Sequence, residues 1–436
     1  MTESVDDVFH KGFEEFRKFV NPLVSQRAAL AGEPIQIVRT EGSRLFDVDG
    51  VPYEDFHGTQ AFGHRAPEID AAIRAYLDTD KPSWFPARVN PFAGRLGRRL
   101  FERTGYDNVF YAATGSGAVE AGLKLARALT GRPRLLGLSG AYHGCTLGSL
   151  SLMGAGYLRA PFGPHLPGAE TVPFGDVDAL AAALETEDVA AVLVEPIQGE
   201  GGVRVLPEGY VAALCRLTER HGTLLIADEV QTGLGRTGQG FLRSALWPRR
   251  PDLVALGKHM GGGLIPIAPM LTSRELFVKA YGGHFASGEA HNNTLAGNNG
   301  LSCSVALAVL DLLDDAMISE VREKGALFKA LLEEKIGGHE LVREIRGEGL
   351  MLGVALHQPD HPWLTFEHFG FADLKDEPVI APLLCHRLYK RGFFCFTCGH
   401  DWSIFRLQPR FNIPWDRLEA FAEAVAIELE YLCELT

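Results

Sequence analysis

The chain of 436 residues carries 42 basic and 55 acidic side chains, a formal net charge of −13, and 46% of its residues are hydrophobic. The length predicts two domains or one large α/β domain with an appendage, and the composition is that of a globular protein, which excludes a disordered chain, a collagen and a coiled coil. The acidic balance argues against a nucleic-acid partner, and no apolar run reaches the roughly 18 residues that span a bilayer.

Two elements are predicted ahead of the main body of the chain. Three phenylalanines recur at helical spacing between residues 9 and 16, and they predict a short amphipathic helix docked on the body. Residues 45–53 alternate around an Asp-Gly turn and predict a hairpin. We expect residues 1–50, which hold the helix and most of the hairpin, to pack with a smaller domain formed by the C-terminal part of the chain.

Apolar strand-like runs then alternate with helical stretches, which is the order of a mostly parallel sheet covered on both faces. The predicted strands of this α/β region are 108–112, 134–138, 190–194, 223–227 and 253–256. From about residue 310, long helices frame two short strand candidates, which predicts a smaller α+β domain. We therefore expect a large domain over residues 51–310 and a small domain over residues 311–436.

Ligands bind beyond the carboxyl ends of parallel strands, so the loops after these runs are the candidate sites. Thr114-Gly115-Ser116-Gly117 follows a strand and opens a helix, where backbone N–H groups and hydroxyls make a seat for a phosphate. A plain capped helix start has the same sequence. Ala141-Tyr142-His143-Gly144 holds an aromatic ring past the next strand, placed either to stack on a flat heterocycle or to pack against the protein.

Two further loops carry a carboxylate and an amine. Asp228 ends a predicted strand and is placed to pair with a protonated ring nitrogen. The G-x-G-x-x-G pattern from Gly233 to Gly238 lies too far from its strand and precedes a helix-poor stretch, which argues against a dinucleotide site. Lys258 lies in a glycine-rich loop, where it is either an amine nucleophile, once desolvated, or an exposed turn residue.

Together the four loops supply the groups that pyridoxal 5′-phosphate needs: a phosphate seat, a stacking aromatic, a carboxylate for the pyridine nitrogen and an amine. On these loops, and above all on DEVQTGLGRTG followed by GKHMGGG, the sequence resembles the class III aminotransferases. The resemblance covers about residues 41–412. It implies the fold type I architecture of pyridoxal-phosphate-dependent enzymes, in which the large domain holds a mostly parallel seven-stranded sheet and a smaller α+β domain follows.

The resemblance also assigns roles to single residues. Lys258 would bind the cofactor covalently and then move a proton, while Asp228 would keep the ring nitrogen charged. Gln231 matches the contact to the phenolic oxygen, and Tyr142 matches the residue stacked on the ring. Thr294 matches a phosphate contact given by the neighbouring subunit, which implies a homodimer with its sites at the interface. The full set of implied cofactor contacts is Gly115, Ser116, Tyr142, His143, Asp228, Gln231, Lys258 and Thr294.

Two segments resemble the family's substrate elements. Arg406 would bind the α-carboxylate of glutamate or 2-oxoglutarate through a bidentate contact. Glu200 would pair with Arg406 when an amine without that carboxylate binds, and Glu195 begins the same segment. A lone arginine and glutamate more often form a structural ion pair, which stays the alternative. Cys145 stands where acetylornithine and ornithine enzymes place an arginine, which argues against those two substrates, and Arg410 replaces a proline of the family's C-terminal motif.

We therefore expect a pyridoxal-phosphate-dependent aminotransferase that moves an amino group between an amine, ω-amino acid or diamine and a keto acid by a ping-pong mechanism. The alternatives are a mutase or decarboxylase of the same fold and a non-catalytic protein that binds the cofactor. Cys395-Phe396-Thr397-Cys398 lacks a second cysteine pair, so we expect thiols without a metal. Seven scattered cysteines and an acidic first segment predict a cytoplasmic protein.

Overall fold

The computed structural model describes residues 4–22, 36–58, 60–85, 89–154, 156–283, 297, 299–371 and 374–434. Within these ranges no helix is both long and apolar enough to cross a membrane. The strands, in chain order, are β1 (Ile37–Glu41), β2 (Arg44–Asp47), β3 (Pro52–Asp55), β4 (Asn108–Ala112), β5 (Arg134–Leu138), β6 (Ala169–Val172), β7 (Val189–Val194), β8 (Ile197–Gln198), β9 (Arg204–Val205), β10 (Leu224–Asp228), β11 (Leu253–Ala255), β12 (Ala268–Thr272), β13 (Val342–Glu348), β14 (Met351–Leu356), β15 (Phe393–Phe394), β16 (Phe396–Thr397) and β17 (Ile404–Leu407). The α-helices are α1 (Val5–Glu15), α2 (Pro67–Leu77), α3 (Pro91–Thr104), α4 (Gly115–Thr130), α5 (Leu147–Ser151), α6 (Gly156–Arg159), α7 (Val177–Leu184), α8 (Glu208–Arg220), α9 (Arg274–Tyr281), α10 (Gly300–Leu312), α11 (Asp315–Ile336), α12 (Ile380–Lys390) and α13 (Trp415–Glu434).

The centre of the protein is a seven-stranded sheet of order β4-β12-β11-β10-β7-β5-β6. Neighbouring strands from β11 to β6 run parallel, and β12 runs antiparallel to both of its neighbours. All residues of β7 and β10 are buried, because apolar clusters cover both faces of the sheet. The predicted mostly parallel seven-stranded sheet is therefore confirmed, and the predicted strands match the observed ones to within one residue at either end.

The sheet aligns the loops that carry the candidate residues. β11, β10, β7 and β5 are consecutive neighbours, with Asp228 opposite Ala255 and Ala227 opposite Val194. Their carboxyl ends therefore lie along one edge of the sheet, where an α/β fold binds its ligands. The loops after residues 138, 194, 228 and 255 leave from this edge.

A second core lies among the C-terminal helices and an antiparallel sheet of order β13-β14-β17-β16. The N-terminal hairpin joins this region, since β3 pairs with β15 and the Tyr53 ring stacks on Tyr389 with centroids 4.6 Å apart. Phe56 is fully buried in the same core and stacks on Phe421 at 4.0 Å. The division into residues 1–50, 51–310 and 311–436 stays a prediction, and the hairpin itself continues to Asp55.

The N-terminal helix forms, and its docking on the body stays a prediction. Ser4 caps α1 through a capping box with Asp7, which explains where the helix begins. No residue of α1 is buried, and Val8 and Phe9 are exposed. The apolar spacing predicts that a helix forms, while it contains no information about the surface that would cover the apolar face.

Candidate active site

The first candidate loop begins α4. The Thr114 hydroxyl accepts a hydrogen bond from the Gly117 N–H at 3.0 Å and so caps the helix. The Ser116 hydroxyl lies 2.6 Å from the Thr146 hydroxyl and 2.8 Å from that of Ser149. A Cβ on Gly144 would lie 2.4 Å from Ser116 Oγ, so the loop after β5 must approach this helix start without a side chain. Free N–H groups, a helix dipole and clustered hydroxyls suit an oxyanion here.

Asp228 is held at the end of β10 by a histidine from the loop after β5. His143 Nδ1 lies 2.8 Å from Asp228 Oδ2, and the Val230 N–H donates to Asp228 Oδ1 at 3.0 Å. Both side chains are buried. The Nε2 atom of His143 is buried without a hydrogen-bond partner among the described residues. These contacts fix the orientation of the carboxylate and leave it lone pairs for a further donor, such as a protonated ring nitrogen.

Lys258 begins a tight helical turn directly after Gly257, in a left-handed conformation with φ of 48°. Its side chain lines a cavity of about 240 Å³ together with Gln60 and His259, so water reaches the side chain although protein surrounds it. Burial lowers the pKa of Lys258, and the charge of Arg406 lowers it further, against three nearby carboxylates that raise it. A lowered pKa favours the neutral amine, which is the nucleophilic form.

Glu195 lies directly after β7 and forms hydrogen bonds with the loop that carries Tyr142 and with the loop that carries Gly199. Its carboxylate accepts from the Tyr142 N–H at 2.8 Å and from the Gly199 N–H at 3.0 Å. Burial raises the pKa of Glu195 to about 7, with Asp228 adding to the rise and His143 opposing it. Glu195 thus positions the loop that carries Tyr142, whose ring lies beside the His400 ring at 5.9 Å.

Gln231 lies on the loop after Asp228 and is fixed from the C-terminal region. Its side-chain amide donates to Gln408 Oε1 at 3.0 Å. A Cβ on Gly199 would lie 1.7 Å from Gln231 Oε1, so the backbone of residue 199 rests directly on this amide. The contact leaves no space for a side chain at position 199.

Arg406 and Glu200 form a buried ion pair between Arg406 Nη1 and Glu200 Oε1. The Gly399 N–H also donates to Glu200, at 2.8 Å. Burial opposes ionisation of Glu200, but Arg406 outweighs it and lowers the pKa of Glu200 to about 2. Arg406 Nε is buried without a hydrogen-bond partner among the described residues, so the guanidinium keeps a donor for another acceptor.

Close packing brings these loops to one place. A Cβ on Gly115 would lie 2.7 Å from Val230 Cγ1, and one on Gly257 would lie 3.1 Å from the same atom and 3.6 Å from Gly115 Cα. The helix start, the loop of Asp228 and the loop of Lys258 therefore meet around Val230. The charges of Asp228, Glu195, Glu200 and Arg406 all act on Lys258, which places the predicted residues around one amine. Thr294 lies outside the described residues.

Two further residues adjoin the site without having been predicted. His57 follows β3, and its ring lies against Phe396 with centroids 5.0 Å apart. Burial lowers the pKa of His57 to about 4, and Arg406 contributes to the shift. Gln408, two residues after Arg406, holds Gln231. Neither residue belongs to a sequence motif that would have identified it as a site residue. The one sequence feature that could have indicated Gln408 is its place in the segment around Arg406.

Cys145 lies at the outer edge of the site. Its sulfur is 3.1 Å from the Tyr142 hydroxyl, and the residue is exposed. Cys395 and Cys398 are both buried free thiols, and the described residues contain no cluster of side chains that could hold a metal ion.

Together, these groups can hold a phosphorylated ring that carries a basic nitrogen. The start of α4 suits the phosphate, Asp228 suits the nitrogen, and Lys258 supplies an amine of lowered pKa near Asp228. Arg406 adds a cation for a substrate carboxylate.

Known proteins share the sequence and the fold. The profile of the family described as aminotransferase class-III matches residues 27–427. An acetylornithine aminotransferase from Streptomyces coelicolor is 40% identical over 332 residues, covering 74% of this chain and 79% of that protein.

Two solved structures extend the likeness to the whole fold. An ornithine aminotransferase from Toxoplasma gondii superposes with a TM-score of 0.84 at 26% identity and covers 100% of both chains. An amine transaminase from an uncultivated Pseudomonas species, described in its PLP-bound form, superposes with a TM-score of 0.81 at 28% identity over 94% of this chain and 97% of that one.

Proposed function

The chain belongs to the class III aminotransferases, and we propose that within this family it moves an amino group from an amine, ω-amino acid or diamine to 2-oxoglutarate, or in reverse from glutamate. Its activity is that of a pyridoxal-phosphate-dependent aminotransferase. The mutase, decarboxylase and non-catalytic alternatives find no support among the relatives. The identity of the two substrates and the role of each residue below belong to the proposal.

The residues present fit pyridoxal phosphate. Gly115, Gly144 and Gly257 let the backbones of these loops come together around the start of α4, because an added Cβ at each would meet neighbouring protein atoms. The oriented carboxylate of Asp228 suits the ring nitrogen, and the amine of Lys258 suits the aldehyde. When bound, the cofactor supplies an aldehyde that takes up the amino group and a ring that withdraws electrons from the substrate carbon.

The protein's own groups would then act as follows. Lys258, with its lowered pKa, would act first as a base that takes a proton from the substrate carbon. It would then act as an acid that donates this proton at a different atom. His143 would hold the Asp228 carboxylate turned toward the ring nitrogen. Tyr142 would stack on the ring, and Gln231, held by Gln408, would donate to its phenolic oxygen.

The observation that carries the substrate proposal is the buried pair of Arg406 and Glu200 beside Lys258. A guanidinium paired with a carboxylate offers no net charge to a simple amine, whereas a substrate carboxylate can replace Glu200 and bind the guanidinium through two parallel hydrogen bonds. The pair therefore supports one site that accepts two kinds of substrate in turn. Removing either partner would leave the other buried and uncompensated.

A homodimer in the cytoplasm completes the proposal. Its support is the match of Thr294 to a phosphate contact from a neighbouring subunit, and the absence of disulfides among the described residues.

Isotope transfer tests the proposed reaction. We would supply the cofactor-loaded protein with diamines, ω-amino acids and α-amino acids labelled with ¹⁵N at the amine, together with 2-oxoglutarate. We expect label in glutamate for at least one donor. Conversion of a donor without transfer of its nitrogen to any keto acid would contradict the proposal.

The variant Glu200→Gln tests the role of the ion pair. Without the carboxylate, Arg406 keeps its charge uncompensated, so an amine that lacks a carboxylate should react about tenfold more slowly or worse. The half-reaction with glutamate should hold its rate, because the substrate itself supplies the anion. Single-turnover absorbance of the cofactor measures both half-reactions separately.

The matched control is Glu348→Gln, which breaks the partly buried pair of Arg243 and Glu348. We expect that variant to leave the ratio of the two half-reactions unchanged. Equal losses in both half-reactions of Glu200→Gln would mean that the pair is structural.

A further inference from the structure

A second polar cavity lies between the N-terminal hairpin and the segment after β17. Its volume is about 350 Å³, and three arginines line it: Arg44, Arg410 and Arg417. It contains none of the residues around Lys258. The chain has a net charge of −13, so a cavity lined by three guanidinium groups is a local concentration of positive charge in a negatively charged protein.

The carboxylates in the cavity do not balance these arginines. Glu41 is engaged by Arg39 at 3.1 Å. Glu54 is buried and accepts from the Ser43 hydroxyl, while Arg44 and Arg417 approach it only to 3.6 and 3.9 Å. Glu54, and for Arg417 also Asp416 at 3.7 Å, therefore face the guanidinium groups at distances longer than a charged hydrogen bond.

Arg410 is the cation with the least compensation. Its guanidinium makes no hydrogen bond or ion pair with the described residues, and its Nε atom is buried. The group lies directly on the backbone of Gly42, where a Cβ would come within 2.7 Å of Arg410 Nη1. Burial lowers the pKa of Arg410, with Arg44 adding to the effect against Glu54. A cation in this position is stabilised by an anion that enters the cavity.

We propose that this cavity is a binding site for a small oxyanion, a phosphate or carboxylate group held by Arg410, Arg417 and Arg44. Guanidinium groups match such anions through parallel hydrogen bonds, and the partly exposed side chains of Arg44 and Arg417 leave access from solvent. The cavity also neighbours the active site: Ser43 and Arg410 line a small adjoining cavity with Gln408, which holds Gln231.

Binding of inorganic phosphate to the cofactor-saturated protein tests the proposal. Calorimetry and thermal unfolding would follow phosphate at constant ionic strength set with chloride, so that general salt effects cancel. We expect saturable binding to wild type. Arg410→Gln and Arg417→Gln should each weaken it by about tenfold or more, because each removes a charge-assisted contact.

The control Arg98→Gln removes the same charge from an exposed helix pair with Glu102 and should bind phosphate like wild type. Absence of saturable binding to wild type, or equal affinity in all four proteins, would overturn the proposal. Two separate arginine variants guard against misfolding of one of them. Citrate added in competition decides the ligand class: displacement of phosphate assigns the site to carboxylates as well, and its absence restricts the site to phosphates.

Discussion

Lys258 combines an amine of lowered pKa with a backbone conformation that side chains rarely adopt. The left-handed φ of 48° costs about 1 kcal/mol in a residue with a Cβ, and it is maintained by the packing of the loop. Strain of this kind at a candidate nucleophile agrees with a role in chemistry, because a stability-optimised loop would place glycine here.

Two substitutions at residue 258 separate chemistry from strain. Lys258→Ala and Lys258→Gly should both lose about 10³-fold or more of transamination, because each removes the acid–base group. Lys258→Gly should be the more stable of the two by about 1 kcal/mol, since glycine adopts positive φ without cost. Activity assays and urea unfolding measure the two effects. Activity above a few per cent of wild type in Lys258→Ala would contradict the assignment.

Glu195 makes stability depend on pH. Its pKa of about 7 in the folded protein lies above the usual value of 4.5, so the unfolded chain releases this proton at lower pH than the folded one. The stabilising contribution is complete below about pH 4.5 and is lost as pH rises through about 7. Wild type should therefore lose stability between pH 5 and pH 8 relative to Glu195→Gln.

Glu195→Gln carries a constant penalty of its own, since its amide can no longer accept both backbone N–H groups. The quantity to measure is therefore how the difference in unfolding free energy between wild type and Glu195→Gln changes with pH. We expect a change of up to about 3 kcal/mol across the window, reduced by coupling to His143. A flat difference would show that Glu195 is ionised throughout.

At the scale of elements, apolar runs and turn residues predicted much of the large sheet. Fully buried strands such as β7 are continuous apolar runs, which the sequence displays directly. β12 was missed because Pro269 lies inside it, and proline usually excludes a strand. Here the strand is tolerated because the carbonyl of Pro269 still accepts from the Leu256 N–H at 2.8 Å.

The sequence predicts the site residues that lie directly after the strands. It does not predict those whose place depends on contacts between residues far apart in the chain. Asp228 and Lys258 were found because parallel strands bring their carboxyl ends together. The contact of Gln408 with Gln231 joins residues 177 positions apart, and no local pattern indicates it. His57 lacks a pattern for the same reason, since its neighbours come from β16 and β17.

The packing of Gly199 on Gln231 gives a prediction for these loops. Gly199→Ala should destabilise the protein by about 1–3 kcal/mol, because the new methyl group must displace the Gln231 amide. Adding Gln231→Ala should recover most of that loss, and a double-mutant cycle of unfolding free energies measures the coupling. The control is Gly209→Ala in α8, which meets no atom within 4 Å and should stabilise by about 0.5–1 kcal/mol. Additive effects of the first pair would contradict this account.

At the scale of the whole molecule, the prediction concerns subunits. If Thr294 completes the partner's site, each active site combines Lys258 of one subunit with Thr294 of the other. Lys258→Ala and Thr294→Glu then inactivate a site through different subunits. Mixing the two inactive proteins should then restore activity to about a quarter of wild type, because half of the dimers are mixed and each has one intact site. Activity is measured after subunit exchange under mild denaturant and refolding.

Each variant exchanged with itself serves as the control and should stay inactive. Failure of the mixture to gain activity, while native mass spectrometry detects mixed dimers, would show that each subunit holds a complete site.

The site draws on residues from Gly115 at the start of α4 to Arg406 on β17, so its parts leave the ribosome at very different times. A nascent chain stopped at residue 300 would already contain Lys258 and Asp228, yet it would lack Arg406, the arginine proposed to bind the keto acid, and Gln408, which holds Gln231. The proposed substrate-binding part of the site is therefore completed only when translation is nearly finished, and a prematurely terminated product would lack it.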